Sequence, residues 1–248
     1  MKYKYLLFDL DGTLTDPKEG ITTSIQYALK FFGIDEPDLD KLEPFIGPPL
    51  KDSFIKYYGF DEEKAETAIA KYREWFSPTG IFQNKIYPGT GDMLAALKNE
   101  GKVLAVASSK PTVFVEKILN HFEIRQYFDV VVGSELNGVR GSKEEVVEEA
   151  LRQLSAKCAH DKDTAAGSGE AAAACSEKAA IDAATAIDID KEHTAMIGDR
   201  EFDVFGGKQH GLATVGVTFG YAGEGELEAA GADYIVNTVE ELRRLLIQ

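Results

Sequence analysis

The chain has 248 residues, 44% of them hydrophobic and 10% aromatic, enough to bury a sizeable core in one large domain or in a main domain with an insert. Its 42 acidic residues against 27 basic ones give a formal charge of −15, which argues against the basic surface of a nucleic-acid binder and requires local cations or a metal wherever an anionic substrate is held. No apolar run approaches the roughly 18 residues of a membrane span, and Tyr5–Phe8 is too short for a signal-peptide core, so a cytoplasmic protein without nucleic-acid or membrane partners is expected.

The chain opens on a β run, Tyr3–Phe8, and later runs follow at Val103–Ala107, Asp129–Gly133, Thr194–Ile197, Thr214–Val217 and Tyr234–Val236. Most are nearly continuous apolar stretches, as strands covered on both faces require. Between the first and second runs, residues 17–82 show no convincing strand and carry helical stripes: Ile21, Ile25, Ala28, Leu29 and Phe32, then Ala65, Ile69, Tyr72, Trp75 and Phe76. The spacing predicts a small helical domain inserted after the first strand, with the core formed by residues 1–16 and 83–248. "NKIYPGTGD" reads as a hinge before a helix over Asp92–Asn99. Further helices are predicted over Pro111–Phe122, with proline at the first helical position, and over Ser142–Leu154, where Ser142 and Glu145 have the spacing of a capping box. This alternation predicts an α/β fold with a doubly wound parallel sheet and an all-helical insert.

Residues 155–187 break the pattern. They are rich in alanine, lack aromatics and cannot build a core of their own, so a mobile loop or loose helical hairpin is expected. Cys158 and Cys175, the two cysteines of the chain, both fall here, and neither a disulfide nor a zinc site is expected from them. An insertion before the fourth strand lies at the end of the sheet away from the strands' carboxyl ends, so its deletion should leave activity largely unchanged.

Ligands of an open parallel sheet bind at the carboxyl ends of its strands. The first strand ends in Asp9 and Asp11, the second in Ser108, the third is followed by Lys143, and the fourth ends in Asp199 with Asp203 four residues on. Clustered carboxylates are costly unless a cation lies between them or one is protonated, and an oxygen-only set points to Mg²⁺. Each residue also has a plainer reading. Asp-Gly is a turn signal, Ser109 would suit a helix cap, and Lys143 and Asp203 would suit solvated helix positions.

The ordered set Asp9-x-Asp11-Gly12-Thr13, Ser108, Lys143 and Gly198-Asp199-x-x-x-Asp203 resembles the four motifs of the haloacid dehalogenase-like phosphatases, and "DLDGTLTD", "SSKP" and "FIGPPL" are most similar to the phosphoglycolate phosphatase-like branch with a helical cap. The resemblance covers nearly the whole chain outside 155–187. It implies a Rossmann-like core and hydrolysis of a small-molecule phosphate ester by a monomer or homodimer. Asp9 would be the nucleophile that forms an aspartyl-phosphate, and Asp11 the general acid and base. Asp9, the Asp11 carbonyl and Asp199 would hold Mg²⁺, with Asp203 in an outer role or orienting Lys143. Ser108, Ser109, Lys143 and Gly12 would bind phosphate. Substrate contacts are expected from the cap at Gly47, Pro48, Leu50 and Arg73, the one arginine of residues 17–82. Lys110 departs from the branch's Thr-Asn-Lys-Pro pattern through its Ser-Ser-Lys-Pro context, so a substrate contact and a surface role both stay open for it. Phosphoglycolate, a 5′-nucleotide and a sugar phosphate are the candidate substrates; a phosphomutase and a non-catalytic binding protein are the alternatives.

Overall fold

The computed structural model describes residues 2–166 and 189–248. The first strand, β1 (Tyr5–Phe8), is buried throughout, with Leu6 and Phe8 on one face of the sheet and Tyr5 and Leu7 on the other. A short strand β2 (Thr15–Asp16) leads into three helices, α1 (Lys18–Phe31), α2 (Leu50–Tyr58) and α3 (Glu62–Phe76). The chain returns through β3 (Lys85–Ile86), which pairs antiparallel with β2. The stretch read as a bare hinge is thus half of a two-stranded ribbon. Four residues in all were too few to carry a readable alternation.

The core continues with α4 (Thr90–Asn99), β4 (Val103–Pro111), α5 (Thr112–His121), β5 (Val130–Ser134) and α6 (Lys143–Ala166). It ends with β6 (Thr194–Gly198), α7 (Glu201–Gln209), β7 (Ala213–Val217), α8 (Glu226–Ala230), β8 (Tyr234–Val236) and α9 (Val239–Ile247). The sheet order is β5-β4-β1-β6-β7-β8 and every pairing in it is parallel. The order reverses at β1, the topological switch point where open sheets of this kind bind ligands.

Side-chain alternation along β1 explains the layering. Phe8 and Leu6 join a core with Leu94 and Leu97 of α4 and Leu242 of α9, whereas Leu7 packs with Val146, Val147 and Ala150 of α6. The cap helices close on Ile25, Leu29, Phe45, Phe54, Ala65 and Ile69, which belong to the first of these clusters. Phe32, expected on the buried stripe of α1, is only partly buried, because the helix ends one residue earlier.

Pro111 is the last residue of β4 rather than the first of a helix. Its ψ of 133° is extended, and it pairs with Ser134 beyond a bulge after Ser108. The helix that starts at Lys143 continues through Ala166, so the first part of the alanine-rich segment extends α6. The remainder of that segment, including Cys175 and the expectations for it, lies outside the described residues. Cys158 is within 3.7 Å of the Tyr5 hydroxyl, at the amino-terminal end of β1 and away from the strand ends that bear the polar residues. No helix among the described residues is long and apolar enough to cross a membrane.

Candidate active site

Asp9 and Asp11 follow the carboxyl end of β1, and both are buried. The chain turns between them and the cap because Gly12 adopts a φ of +82°, in the left-handed region that glycine enters without steric cost. A Cβ there would stand 2.1 Å from Asp199 Oδ2, so this glycine is also what lets Asp199 approach β1. Its N–H donates to the Thr15 carbonyl at 2.7 Å, so Gly12 is not a free phosphate donor; its contribution is space. Asp199 is held from two sides. Thr13 Oγ1 donates to its Oδ1 at 3.3 Å and the Tyr221 N–H to its Oδ2 at 2.8 Å.

Lys143 reaches under the end of the sheet from the first turn of α6. A lysine there opposes the helix dipole, a cost offset by two carboxylates. Its Nζ lies 3.0 Å from Asp9 Oδ1, 2.9 Å from Asp203 Oδ1, and donates to the Ala107 carbonyl at 3.0 Å. Burial works against its charge, but Asp203 and Asp9 outweigh burial and hold the ammonium above the ordinary lysine range. Asp203 also accepts from the Arg200 N–H at 3.0 Å, the capping bond of α7. Burial pushes the Asp203 carboxyl up to about 6 against the pull of Lys143. Asp199 is driven well above the carboxylate range by burial and then by Asp203 and Asp9.

Asp9, Asp199 and Asp203 can each bring one carboxylate oxygen within 4.8 Å of the others. Oδ1 of Asp9 and Oδ1 of Asp203 are buried and share the Lys143 ammonium, at 3.0 and 2.9 Å. Such an oxygen-rich, electron-dense pocket fits a hard divalent cation. Asp203 belongs to this cluster, and its Oδ1 pairs with Lys143 at 2.9 Å, the contact that an orienting role requires.

Asp11 makes different contacts. Lys110 Nζ, held over the Phe76 ring at 4.9 Å from its centroid, donates to Asp11 Oδ2, while Oδ1 is buried and unpartnered among the described residues. Burial raises the Asp11 carboxyl and Lys110 only partly reverses it. Lys110 is therefore buried against the site and has no surface role. Ser108, at the bulge in β4, is buried, and its Oγ accepts from the Lys110 N–H at 3.4 Å. Ser109 makes no cap for α5; its carbonyl accepts from Ser134 Oγ at 2.7 Å.

Above these residues lies a cleft of about 550 Å³ between core and cap, lined by Asp9, Asp11, Ser108, Ser109 and Lys110 below and by Gly47, Pro48 and Leu50 above. Phe45, Tyr72, Phe76 and Phe114 form its apolar wall. Arg73 lines it too, but its Nη1 donates to the Leu136 carbonyl at 3.1 Å. Phe31 and Phe82, by contrast, are exposed and lie outside the cleft lining. Sequence reasoning missed Arg200, Tyr221 and Glu226. The glycine-rich "FGYAGEGE" after β7 was the available signal, since it too stands at a strand's carboxyl end.

A parallel sheet with acidic strand ends, an ammonium between two of them and a helical cap over the mouth defines a class of capped hydrolases. The family model for haloacid dehalogenase-like hydrolases matches residues 6–166, and a further model of HAD-like hydrolases matches 175–242. The chain belongs to the haloacid dehalogenase-like hydrolases and is a phosphatase of that family. It is 41% identical to a 5′-nucleotidase of Pseudomonas aeruginosa across 99% of this chain and 96% of that one. It is 34% identical to the tyrosine-protein kinase PtkA of Mycobacterium tuberculosis across 97% of this chain and 72% of that protein. The crystal structure of a predicted phosphatase from Clostridium acetobutylicum superposes with a TM-score of 0.84 at 43% identity, covering 100% of this chain and 99% of that one.

Proposed function

We propose that the chain is a Mg²⁺-dependent phosphomonoesterase that works through an aspartyl-phosphate, and that its substrate is a 5′-nucleotide or an ester of similar size. The observation that carries the reaction is a pair of buried carboxylates two residues apart at one cleft floor, each with its own ammonium. Asp9 lies against Lys143, and Asp11, whose carboxyl is raised by burial, receives Lys110.

In this reading Asp9 attacks phosphorus in line. A bond forms between its carboxylate oxygen and phosphorus while the ester bond breaks, and Asp11 gives its proton to the departing alkoxide. Asp11 then takes a proton from the water that cleaves the acyl phosphate, returning both groups to their starting state. Lys143 and Ser108 neutralise the phosphoryl oxygens, and Ser109 stands beside them. Asp9, Asp199 and the Asp11 carbonyl would hold Mg²⁺, with Asp203 as a further carboxylate, and the ion supplies charge neutralisation at the phosphoryl group. Lys110 is placed to meet the leaving-group oxygen beside Asp11.

Three observations favour a nucleotide over phosphoglycolate. The cleft is far larger than a two-carbon acid needs, its upper wall is aromatic, and Arg73, the arginine that lines it among the described residues, is already engaged by Leu136. The P. aeruginosa relative adds to this. The test is purified protein with p-nitrophenyl phosphate, with and without Mg²⁺, followed by a panel of nucleoside monophosphates, sugar phosphates and phosphoglycolate. Phosphate release that needs Mg²⁺ and vanishes in Asp9→Asn is expected. Turnover that survives Asp9→Asn overturns the mechanism, and preference for phosphoglycolate overturns the substrate reading.

A further inference from the structure

We infer that Arg200 is a positioning residue for the leaving group, and that Arg73 does the same work in the opposite direction; the inference rests on the phosphomonoesterase reading above. Arg200 follows Asp199 in the core, and its Nη1 donates to the carbonyl of Ile46 in the cap at 2.7 Å. Arg73 belongs to the cap, and its Nη1 donates to the carbonyl of Leu136 in the core at 3.1 Å. Each arginine thus crosses between core and cap and holds the backbone of a loop on the other side. Both held loops line the cleft, Gly47–Leu50 from above and Glu135–Gly138 from the side.

The Arg200 contact is built, not incidental. Its Nε donates to Glu226 Oε1 at 2.8 Å, and the side chains of both residues are largely buried. Glu226 in turn accepts the N–H groups of Glu201 at 2.9 Å and Gly223 at 2.8 Å, so the acceptor that aims the guanidinium is itself fixed. Only a planar fork can serve Glu226 and Ile46 at once, since a lysine ammonium is a single point on a flexible stem. On the cap side, Gly47 takes a φ of +101°, and a Cβ there would stand 3.1 Å from Arg200 Cγ. The loop therefore lies directly on the arginine stem. The residue that follows Asp199 and the segment that walls the leaving group are joined through one side chain, so the cap loop keeps its place relative to the cleft floor only while this bond is made.

A misplacement of about 1 Å can cost about 100-fold in rate, and that cost falls on the part of the substrate the loop touches. The test is kcat/KM for methyl phosphate, p-nitrophenyl phosphate and adenosine 5′-monophosphate. In Arg200→Ala the loss should grow with leaving-group size, from about 3-fold to about 30-fold or more, chiefly in KM for the nucleotide. Arg73→Ala should show the same trend, and Arg200→Lys should behave like the alanine variant. Equal fractional loss on all three esters, no loss, or full rescue by lysine overturns the inference. A separate readout does not depend on turnover: spin labels at Lys56→Cys and Glu228→Cys in a Cys158→Ser, Cys175→Ser background report the distance between cap and core. The parent should give one narrow distance, and the Arg73→Ala, Arg200→Ala double variant a broader and longer one. An unchanged distribution overturns the tether, whereas a widened one in a protein that hydrolyses no ester leaves the tether standing and defeats the phosphatase reading.

Discussion

Lys143 and Asp203 form an ion pair of 2.9 Å whose two members are almost wholly withdrawn from water, and the same ammonium stands 3.0 Å from Asp9. The pair ties the start of α6 to the first turn of α7 beneath the proposed nucleophile. Removing one member of a buried ion pair leaves an uncompensated charge and costs about 3–5 kcal/mol. Lys143→Ala should therefore lower unfolding free energy by about that amount in metal-free protein and lower kcat by about 100-fold to 1,000-fold, as the loss of a fixed donor to a developing charge does. Urea unfolding and steady-state kinetics check both. A variant with near-parental kcat would remove Lys143 from the chemistry.

The acidic cluster makes stability depend on pH in a direction opposite to an ordinary salt-bridged carboxylate. Burial raises Asp203 to about 6 and holds Asp199 well above the carboxylate range, so the folded protein binds protons more tightly than the unfolded chain does. Their contribution is fully present below the unfolded carboxylate range near 4 and is lost as pH rises through about 6 and beyond. Mg²⁺ must displace those protons. Its stabilisation, about 2.7 kcal/mol at a hundred times Kd, should be realised at pH 8 and shrink at pH 5.5. Thermal unfolding at the two pH values with and without Mg²⁺ measures this, and a pH-independent gain would contradict it.

Gly12→Ala tests the spatial role of the turn. An alanine Cβ would meet Asp199 Oδ2 at 2.1 Å, in a backbone conformation of φ +82° that costs about 1–3 kcal/mol for a non-glycine residue. Asp199 would have to move. The expected result is a fold that survives with reduced stability and loses both Mg²⁺ affinity and Mg²⁺-dependent turnover. Retained affinity, read by titration calorimetry, would show that Asp199 is not confined by this approach.

Tyr221 joins the hinge to the acidic cluster by two separate groups. Its phenol donates to Asp16 of β2 and its backbone N–H to Asp199. Tyr221→Phe deletes only the first. A hydrogen bond to a charged acceptor is worth about 1.5–3 kcal/mol, so that loss of stability is expected with Mg²⁺ affinity little changed. A large fall in affinity would mean that the hinge contact itself places Asp199.

The β runs and the helical stripes were legible because apolar periodicity is local: all six predicted strands occur, five of them within two residues of their expected bounds, while β4 runs on to Pro111. Asp9, Asp11, Ser108, Lys143, Asp199 and Asp203 were legible because in a parallel sheet a polar residue at a strand's carboxyl end has one edge to go to, and the structure brings all six together there. The β2–β3 ribbon was not, since four residues carry no period and their pairing joins positions 15 and 86.

Sequence alone determined the layered α/β core, the helical cap, the set of acidic and basic groups at the sheet edge and the family they resemble. Only the tertiary structure decided how those groups divide their contacts. Lys143 lies with Asp9 and Asp203, Lys110 with Asp11, and Arg73 and Arg200 each give their guanidinium to a carbonyl on the other side of the cap–core boundary. Periodicity and strand order say which edge a side chain reaches, but its partner there depends on distances of an ångström or two between elements distant in sequence. "FDLDGTLTD" places two carboxylates two residues apart; which ammonium each receives is a property of the fold.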